Sequence, residues 1–266
     1  MKLNLSSQIV LNKIPVEIYQ PQNAVDRSEL TRYEKIVTDI FPKAEEGASH
    51  IADQIEAEIK ARQREGKYCV LGLGTGLSLT PVYKELIKRH KAGSLSFSNV
   101  VVFNAYEYFP LTDTTKNSSI RQLRARLLDH VDIPAQNIFS FDGTIEQDKV
   151  QESCRLYEQR IESFGGIDVM LLGVGRVGNI ATNEPGSGIT STSRILLVNQ
   201  LSREEMTMSF GSTEPVPPCS ITLGIANILK ARKIFLAAWG EEKADIIRET
   251  VEGKITDPIP ASFLQT

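Results

Sequence analysis

The chain has 266 residues, enough for one large α/β domain or two small ones. Its composition, 41% hydrophobic and 24% charged, is that of an ordinary globular protein, and a formal net charge of -3 supplies no positive field to recruit nucleic acid or an anionic membrane. No apolar run reaches the ~18 residues of a membrane span, so neither nucleic acid nor membrane is an expected partner.

Residues 1–28 show little periodicity and read as a leader segment, with a short edge strand near Val16 to Tyr19. The start, Met1-Lys2-Leu3-Asn4-Leu5, lacks the apolar core of a signal peptide, and a cytoplasmic location is expected. Residues 29–266 read as one domain. Glu29 to Ile40 places Leu30, Tyr33, Ile36, Val37 and Ile40 at helical spacing and stops before Pro42. Lys43 to Arg64 predicts a longer helix with Ile51, Ile55 and Ile59 on one face, closed by Gly66.

Lys67 to Leu73 is the first central strand, followed by the turn Gly74-Thr75-Gly76-Leu77-Ser78. Thr80 and Pro81 suit the N-cap and N1 positions of a helix through His90. A strand, a glycine turn and a helix start bring backbone N–H groups together and predict an anion site, although an ordinary βα turn uses the same glycines.

Asn99 to Asn104 is the next strand and runs into Tyr106, Glu107 and Tyr108. Ser118 to His130 reads as a helix with Leu123, Leu127 and Leu128 inward, Asn137 to Phe141 as a short strand, and Glu146 to Phe164 as a helix ended by Gly165-Gly166. Val169 to Leu172 is an unbroken apolar run, the mark of a strand buried on both faces. Arg194 to Val198 reads as a strand and Ser202 to Met208 as a short helix. The uncharged run Ser220 to Leu229 reads as a buried helix. Lys233 to Trp239 is the last central strand, and Gly240 leads into a helix over Glu241 to Val251. Strands alternating with helices predict a single α/β domain: a doubly wound, mostly parallel sheet with helices on both faces.

The chemistry is expected in the loop after Val169 to Leu172, because open α/β sheets bind ligands at the carboxyl ends of their strands. Gly173-x-Gly175-x-x-Gly178 also spells a dinucleotide fingerprint. That pattern needs a helix at its third glycine and an acidic residue about 20 positions on. Here the third glycine leads into Asn179, Thr182, Asn183, Pro185 and Gly186, and the later stretch is Val198-Asn199-Gln200, so no nicotinamide or flavin cofactor is expected. Cys69, Cys154 and Cys219 lie far apart and read as structural thiols with no metal spacing. His50, His90 and His130 fall in or at the ends of helical segments, away from the loops that would form a site. Glu184 is the lone carboxylate in the loop that starts at Gly173.

Four stretches, L-G-L-G-T-G-L-S-L-T-P-V-Y, F-N-A-Y-E-Y, G-V-G-R-V-G-N-I-A-T-N-E-P-G-S and G-E-E-K-A, together resemble the glucosamine-6-phosphate deaminase family in order and spacing. The family is related to 6-phosphogluconolactonases and shares its fold with ribose-5-phosphate isomerases. The resemblance runs from about Tyr33 to Gln265 and is nearest to members in which this domain can precede a second one. It implies a place in amino-sugar metabolism and a small sugar phosphate as partner. A homo-oligomer is left open.

The resemblance also implies where catalytic groups belong. The family's F-N-x-D-E-Y supplies an aspartate that moves a proton between C1 and C2 of the sugar; Tyr106 stands at that position. Its G-x-G-x-D-G-H-I supplies an aspartate and a ring-opening histidine; Val177 and Asn179 stand there, and only Glu184, the partner of that histidine, is kept. A phenol of pKa ~10 is a poor base beside a carboxyl of ~3.9, valine has no proton chemistry, and asparagine can orient a hydroxyl but cannot take a proton. The phosphate-binding pattern is better kept: Gly74, Thr75, Gly76 and Ser78 match, Gly175 lies in the matching loop, and Lys243 matches the family's phosphate lysine. Met208 stands where the family has an arginine, with Arg203 and Arg194 nearby as candidates. Four readings stay open: a sugar-phosphate binder with weak or lost deaminase activity, an enzyme of shifted chemistry using Glu184 and Tyr106, a working deaminase, and a ligand-free interaction domain.

Overall fold

Alternate residues of each central strand enter different cores, and this sets the architecture. In the computed structural model, which describes residues 21, 23–112, 118–210 and 216–266 and the side chains of all of these except 208–210, Val70, Val101, Phe103, Met170 and Leu172 share one buried cluster. Their strand neighbours Cys69, Leu71, Val100, Val102, Val169 and Leu171 lie in the other. Side chains alternate across a strand, so strands apolar at both parities need cover on both faces.

The elements in chain order begin with α1 (Ala24–Leu30), α2 (Ala44–Arg64), β1 (Cys69–Leu73), α3 (Thr80–Lys91), β2 (Val100–Asn104) and β3 (Tyr106–Phe109). There follow α4 (Ser119–Arg126), β4 (Ile138–Phe139), α5 (Val150–Ser163), β5 (Val169–Gly173), β6 (Arg194–Leu197) and α6 (Gln200–Phe210). The last are β7 (Cys219–Thr222), α7 (Ile225–Leu229), β8 (Lys233–Ala237) and α8 (Ala244–Val251). Five strands pair in parallel in the order β4-β2-β1-β5-β8. Helices α2, α3 and α4 bury Ile55, Tyr83 and Leu123 on one face, and α5 and α7 bury Tyr157 and Ile228 on the other. This is the expected doubly wound sheet. The order grows outward in both directions from the β1–β5 pair, so the switch point, where such sheets bind ligands, lies between their carboxyl ends.

A second, antiparallel sheet of three strands, β3-β7-β6, stands beside the first. Ala105 is the hinge between them: its N–H donates to Leu73 O of β1 at 2.8 Å and its carbonyl accepts from Leu223 N at 2.9 Å. The segment expected as one buried helix, Ser220 to Leu229, is therefore a correction. Cys219–Thr222 is the middle strand of this sheet, and only Ile225–Leu229 is helical. Ser220 Oγ donates to Glu107 O at 2.9 Å, so the pairing gives this buried hydroxyl an acceptor. Gly224 separates strand from helix, and a Cβ there would overlap Ser191 O.

Helix α2 forms as expected. Ile51, Ile55 and Ile59 are buried, each contributing about 1.5–3 kcal/mol by leaving water, and Gly66 closes the helix at φ 65. The helix expected over Glu29 to Ile40 does not form. α1 is capped by Asn23 and ends at Leu30, and Lys35 N then pairs with Val251 O at 3.0 Å. Tyr33 and Val37 are 63% and 86% exposed; with no core to face, helical spacing alone does not hold a helix. The strand expected at Val16 to Tyr19 lies outside the described residues. Thr80 is the first residue of α3 rather than its cap, because the chain already winds through a 3-10 turn at Leu77–Leu79 that buries Leu79.

Candidate functional site

The turn after β1 is held from outside by three side chains. Tyr83 OH donates to Gly74 O at 2.5 Å, Arg126 Nη1 to Thr75 O at 2.5 Å, and Trp239 Nε1 to Ser78 O at 2.6 Å. Fixing three carbonyls fixes the peptide planes between them. The first amides of the helical run from Leu77 have no acceptor inside it, so they are free for an anion. Gly173 lets β5 come close: a Cβ there would sit 2.9 Å from Ser78 Oγ.

A cavity of about 500 Å³ opens at this point, at the carboxyl ends of β1 and β5. It brings together Gly74, Thr75, Gly76, Ser78, Tyr106, Gly175, Asn179 and Lys243, all expected at a site from the sequence. Val177, Glu184, Arg194 and Arg203 do not line it. Arg203 Nη2 donates to Val216 O at 3.2 Å. Arg194 instead pins the loop, donating to Asn183 Oδ1 at 3.0 Å and Ser187 Oγ at 2.7 Å. The side chain of Met208 lies outside those described.

Tyr106 points into the cavity wall. Its hydroxyl lies 2.6 Å from Thr75 Oγ1, which is also 3.2 Å from Ser119 Oγ. Burial pushes the phenol above its ordinary pKa, against the opposing effect of the Thr75 hydrogen bond. Glu107, the next residue, faces the other way. Its two carboxyl oxygens accept from Ser119 N, Ile120 N, Tyr108 N and Ser118 Oγ, so it anchors the start of α4.

Glu184 is buried behind the wall. Oε2 accepts from Asn199 Nδ2 and from Ser202 Oγ at 3.1 Å, and Ser202 does line the cavity. Oε1 is buried with no hydrogen-bond partner. Burial pushes this carboxyl up to about 7; the Ser202 bond opposes the shift and the charge of Glu205 adds to it. Asn179 Oδ1 is likewise buried without a partner, and the side chain lies across Gly175, where any Cβ would overlap it.

Lys243 Nζ lies 2.9 Å from Glu205 Oε1. Glu205 was not an expected site residue, nor were Trp239, Arg126 and Tyr83. A glutamate in a helix reads as solvated surface, Trp239 and Arg126 reveal themselves only through partners distant in sequence, and Tyr83 reads as a core residue of its helix. None of the three histidines lines the cavity. His90 Nδ1 and His130 Nε2 each lie 2.9 Å from a backbone carbonyl, of Leu95 and Ala125, and His50 lies 3.8 Å from Asp39. Among the described residues no group of three or more His, Cys, Asp or Glu is placed to hold a metal, and no helix is long and apolar enough to cross a membrane.

Fold and site together define an α/β protein with a cavity at the switch point of a doubly wound sheet. Residues 42–266 match the family described as glucosamine-6-phosphate isomerases/6-phosphogluconolactonase, and the chain belongs to that family. It is 56% identical over all 266 residues to a glucosamine-6-phosphate deaminase-like protein of Bacteroides thetaiotaomicron, of whose length it spans 40%. It is 38% identical over 222 residues to a glucosamine-6-phosphate deaminase of Geobacillus, covering 84% of this chain and 86% of that one. The solved structure of a monomeric glucosamine-6-phosphate deaminase superposes with a TM-score of 0.77 at 33% identity, over 84% of this chain and 90% of the other. A 6-phosphogluconolactonase of Thermotoga maritima, at 18% identity and a TM-score of 0.62 over 81% of this chain and 89% of that one, shares the fold.

Proposed function

We propose that this chain binds a sugar phosphate in the switch-point cavity and that its deaminase turnover is weak or lost. The single observation that carries the second half is Tyr106. A buried phenol, shifted upward and hydrogen-bonded to Thr75, stands where the resemblance places the proton-shuttling aspartate. No histidine lines the cavity to open a sugar ring. Val177 and Asn179 offer no proton-accepting group in place of the other two positions. Support for the first half comes from the turn at Gly74 to Ser78, the lysine opposite it, and deaminase relatives that the chain matches over most of its length. The activity of any longer protein containing this chain falls under the same proposal.

Calorimetric titration with glucosamine 6-phosphate tests the binding. Ammonia release and isotope uptake at C1 and C2 in deuterated water test the turnover. The expected result is saturable binding with both rates near background; ammonia release matching the Geobacillus deaminase would overturn the reading. One observation favours a second reading, an isomerase, deaminase or lactonase on a related phosphosugar. Glu184, pushed up to about 7 by burial and with an unpartnered oxygen, meets the cavity through the Ser202 hydroxyl, an arrangement that suits a general acid or base acting through that hydroxyl. Enzyme-dependent isotope uptake without ammonia release would select the isomerase among these.

A further inference from the structure

Lys243, the cation expected to meet a phosphate, is already paired. Its Nζ lies 2.9 Å from Glu205 Oε1, and the two side chains are 12% and 32% exposed, so water screens the pair only in part. The second carboxyl oxygen, Oε2, accepts from Arg176 N at 3.3 Å. Glu205 thus joins α6, the loop after β5 and the start of the last helical run across one cavity. Lys243 closes the 3-10 turn Glu241–Lys243 and precedes α8. A cation at the start of a helical run is opposed by the dipole, and Glu205 offsets that. Glu242 lines the same cavity, with its carboxyl group beside Gly240.

We infer that Glu205 lowers the affinity of the cavity for anions by competing with a phosphoryl group for Lys243. The inference rests on the sugar-phosphate reading above and adds to it. A phosphoryl group seated on the amides after Gly76 and on Lys243 must displace the Glu205 carboxylate or lie beside it. Like charges at such distance oppose each other strongly where water is partly excluded. A ligand therefore enters only if its sugar contributes enough contacts to open the Glu205–Lys243 pair, and inorganic phosphate alone binds poorly. Glu205 also shares a helix face with Ser202, three residues earlier, which holds Glu184. The residue that gates the anion is thereby on the same face of α6 as the residue that holds the buried acid.

The test is calorimetric titration of inorganic phosphate and of glucosamine 6-phosphate into the wild type, Glu205→Gln and Glu241→Gln. Glutamine keeps the size and the acceptor for Arg176 N but removes the charge. Glu205→Gln is expected to bind both probes about tenfold more tightly or better, the effect of freeing one charge-assisted bond. Glu241→Gln makes the same charge change two residues before Lys243 and outside the cavity lining, and stays within about twofold of wild type, since an exposed charge is screened. Adding Lys243→Met to Glu205→Gln abolishes the gain. Should Glu205→Gln fail to fold by circular dichroism, Glu205→Ser carries the same expectation. If the wild type binds glucosamine 6-phosphate and the Glu205 variants bind it equally or more weakly, Glu205 merely positions the lysine; this inference falls and the sugar-phosphate reading stands. If neither wild type nor variants bind either probe, both fall.

Discussion

The Tyr106 hydroxyl and Thr75 Oγ1 lie 2.6 Å apart, and this bond ties the glycine turn of the parallel sheet to the first strand of the antiparallel one. Tyr106 is thus a structural link at a position where the resemblance places a catalytic carboxylate. Tyr106→Phe removes one buried hydroxyl and leaves Thr75 with Ser119 at 3.2 Å. Denaturant unfolding is expected to show a loss of about 0.5–1.5 kcal/mol, and any residual ammonia release stays unchanged. A fall in ammonia release at unchanged affinity would instead make the phenol a participant in the chemistry.

Arg126 acts on the cavity from behind, through its 2.5 Å bond to Thr75 O. Arg126→Met keeps most of the stem packing and frees that carbonyl. The turn then samples orientations in which the amides after Gly76 no longer converge, so part of the binding energy goes to reordering it. The expected loss in glucosamine 6-phosphate affinity is about three- to tenfold, or about 0.6–1.4 kcal/mol, less than the ~1.5–3 kcal/mol of a whole charged hydrogen bond because only the reordering of the turn reaches the ligand. Unchanged affinity in a titration would show that Tyr83 and Trp239 suffice to hold the turn.

Glu184 gives the stability a pH dependence of definite sign. Its folded pKa, about 7, lies above the ordinary carboxyl value of 4.5. Between these values the folded state binds more protons than the unfolded one, so stability falls as pH rises from about 4.5 to 7 and levels off above. Glu184→Gln removes the ionisation. Relative to wild type it is expected to gain about 1–2 kcal/mol at pH 8, after allowing for partial access of water to the carboxyl, and nothing at pH 4. Paired urea titrations at the two pH values measure this. An equal effect at both would mean that packing, not charge, decides the difference.

The parallel sheet was legible because β1, β2 and β5 are apolar at both parities, and only a strand covered on two faces tolerates that. The glycine turn was legible because a strand, Gly74 and Gly76, and Pro81 follow one another within a few residues. The antiparallel sheet was hidden. Four residues, Cys-Ser-Ile-Thr, carry too short a period to separate strand from helix, and the partners of β7 lie far away in sequence. Of the site, the residues on local turns were read and those acting across the fold were not. Trp239 and Arg126 matter because tertiary packing delivers them to two carbonyls of the turn. Glu205 sits among Arg203, Glu204 and Met206, where local pattern marks only a mixed helix surface.

Restoring the family's acid and base groups is the sharpest trial of the weak-turnover reading. Tyr106 and Asn179 line the cavity, whereas Val177 does not, so an aspartate at 177 can serve only by orienting a histidine at 179. Tyr106→Asp, Val177→Asp and Asn179→His together are expected to raise ammonia release at least about a hundredfold over the parent, the low end of one general acid–base contribution. Each change alone should leave the rate near background, because groups acting as a unit are non-additive. Two obstacles are visible. Tyr106→Asp breaks the Thr75 bond and puts a carboxyl into a buried wall, at about 1–3 kcal/mol, so folding is checked by circular dichroism first. A histidine at 179 must also leave the path across Gly175 that the asparagine takes. If the triple variant folds, binds glucosamine 6-phosphate and still releases no ammonia, the lost groups are not what silences the chain. The substrate is then seated wrongly, and the Lys243–Glu205 pair, which lies where its phosphate should anchor, is the place where adding Glu205→Gln should recover the rate.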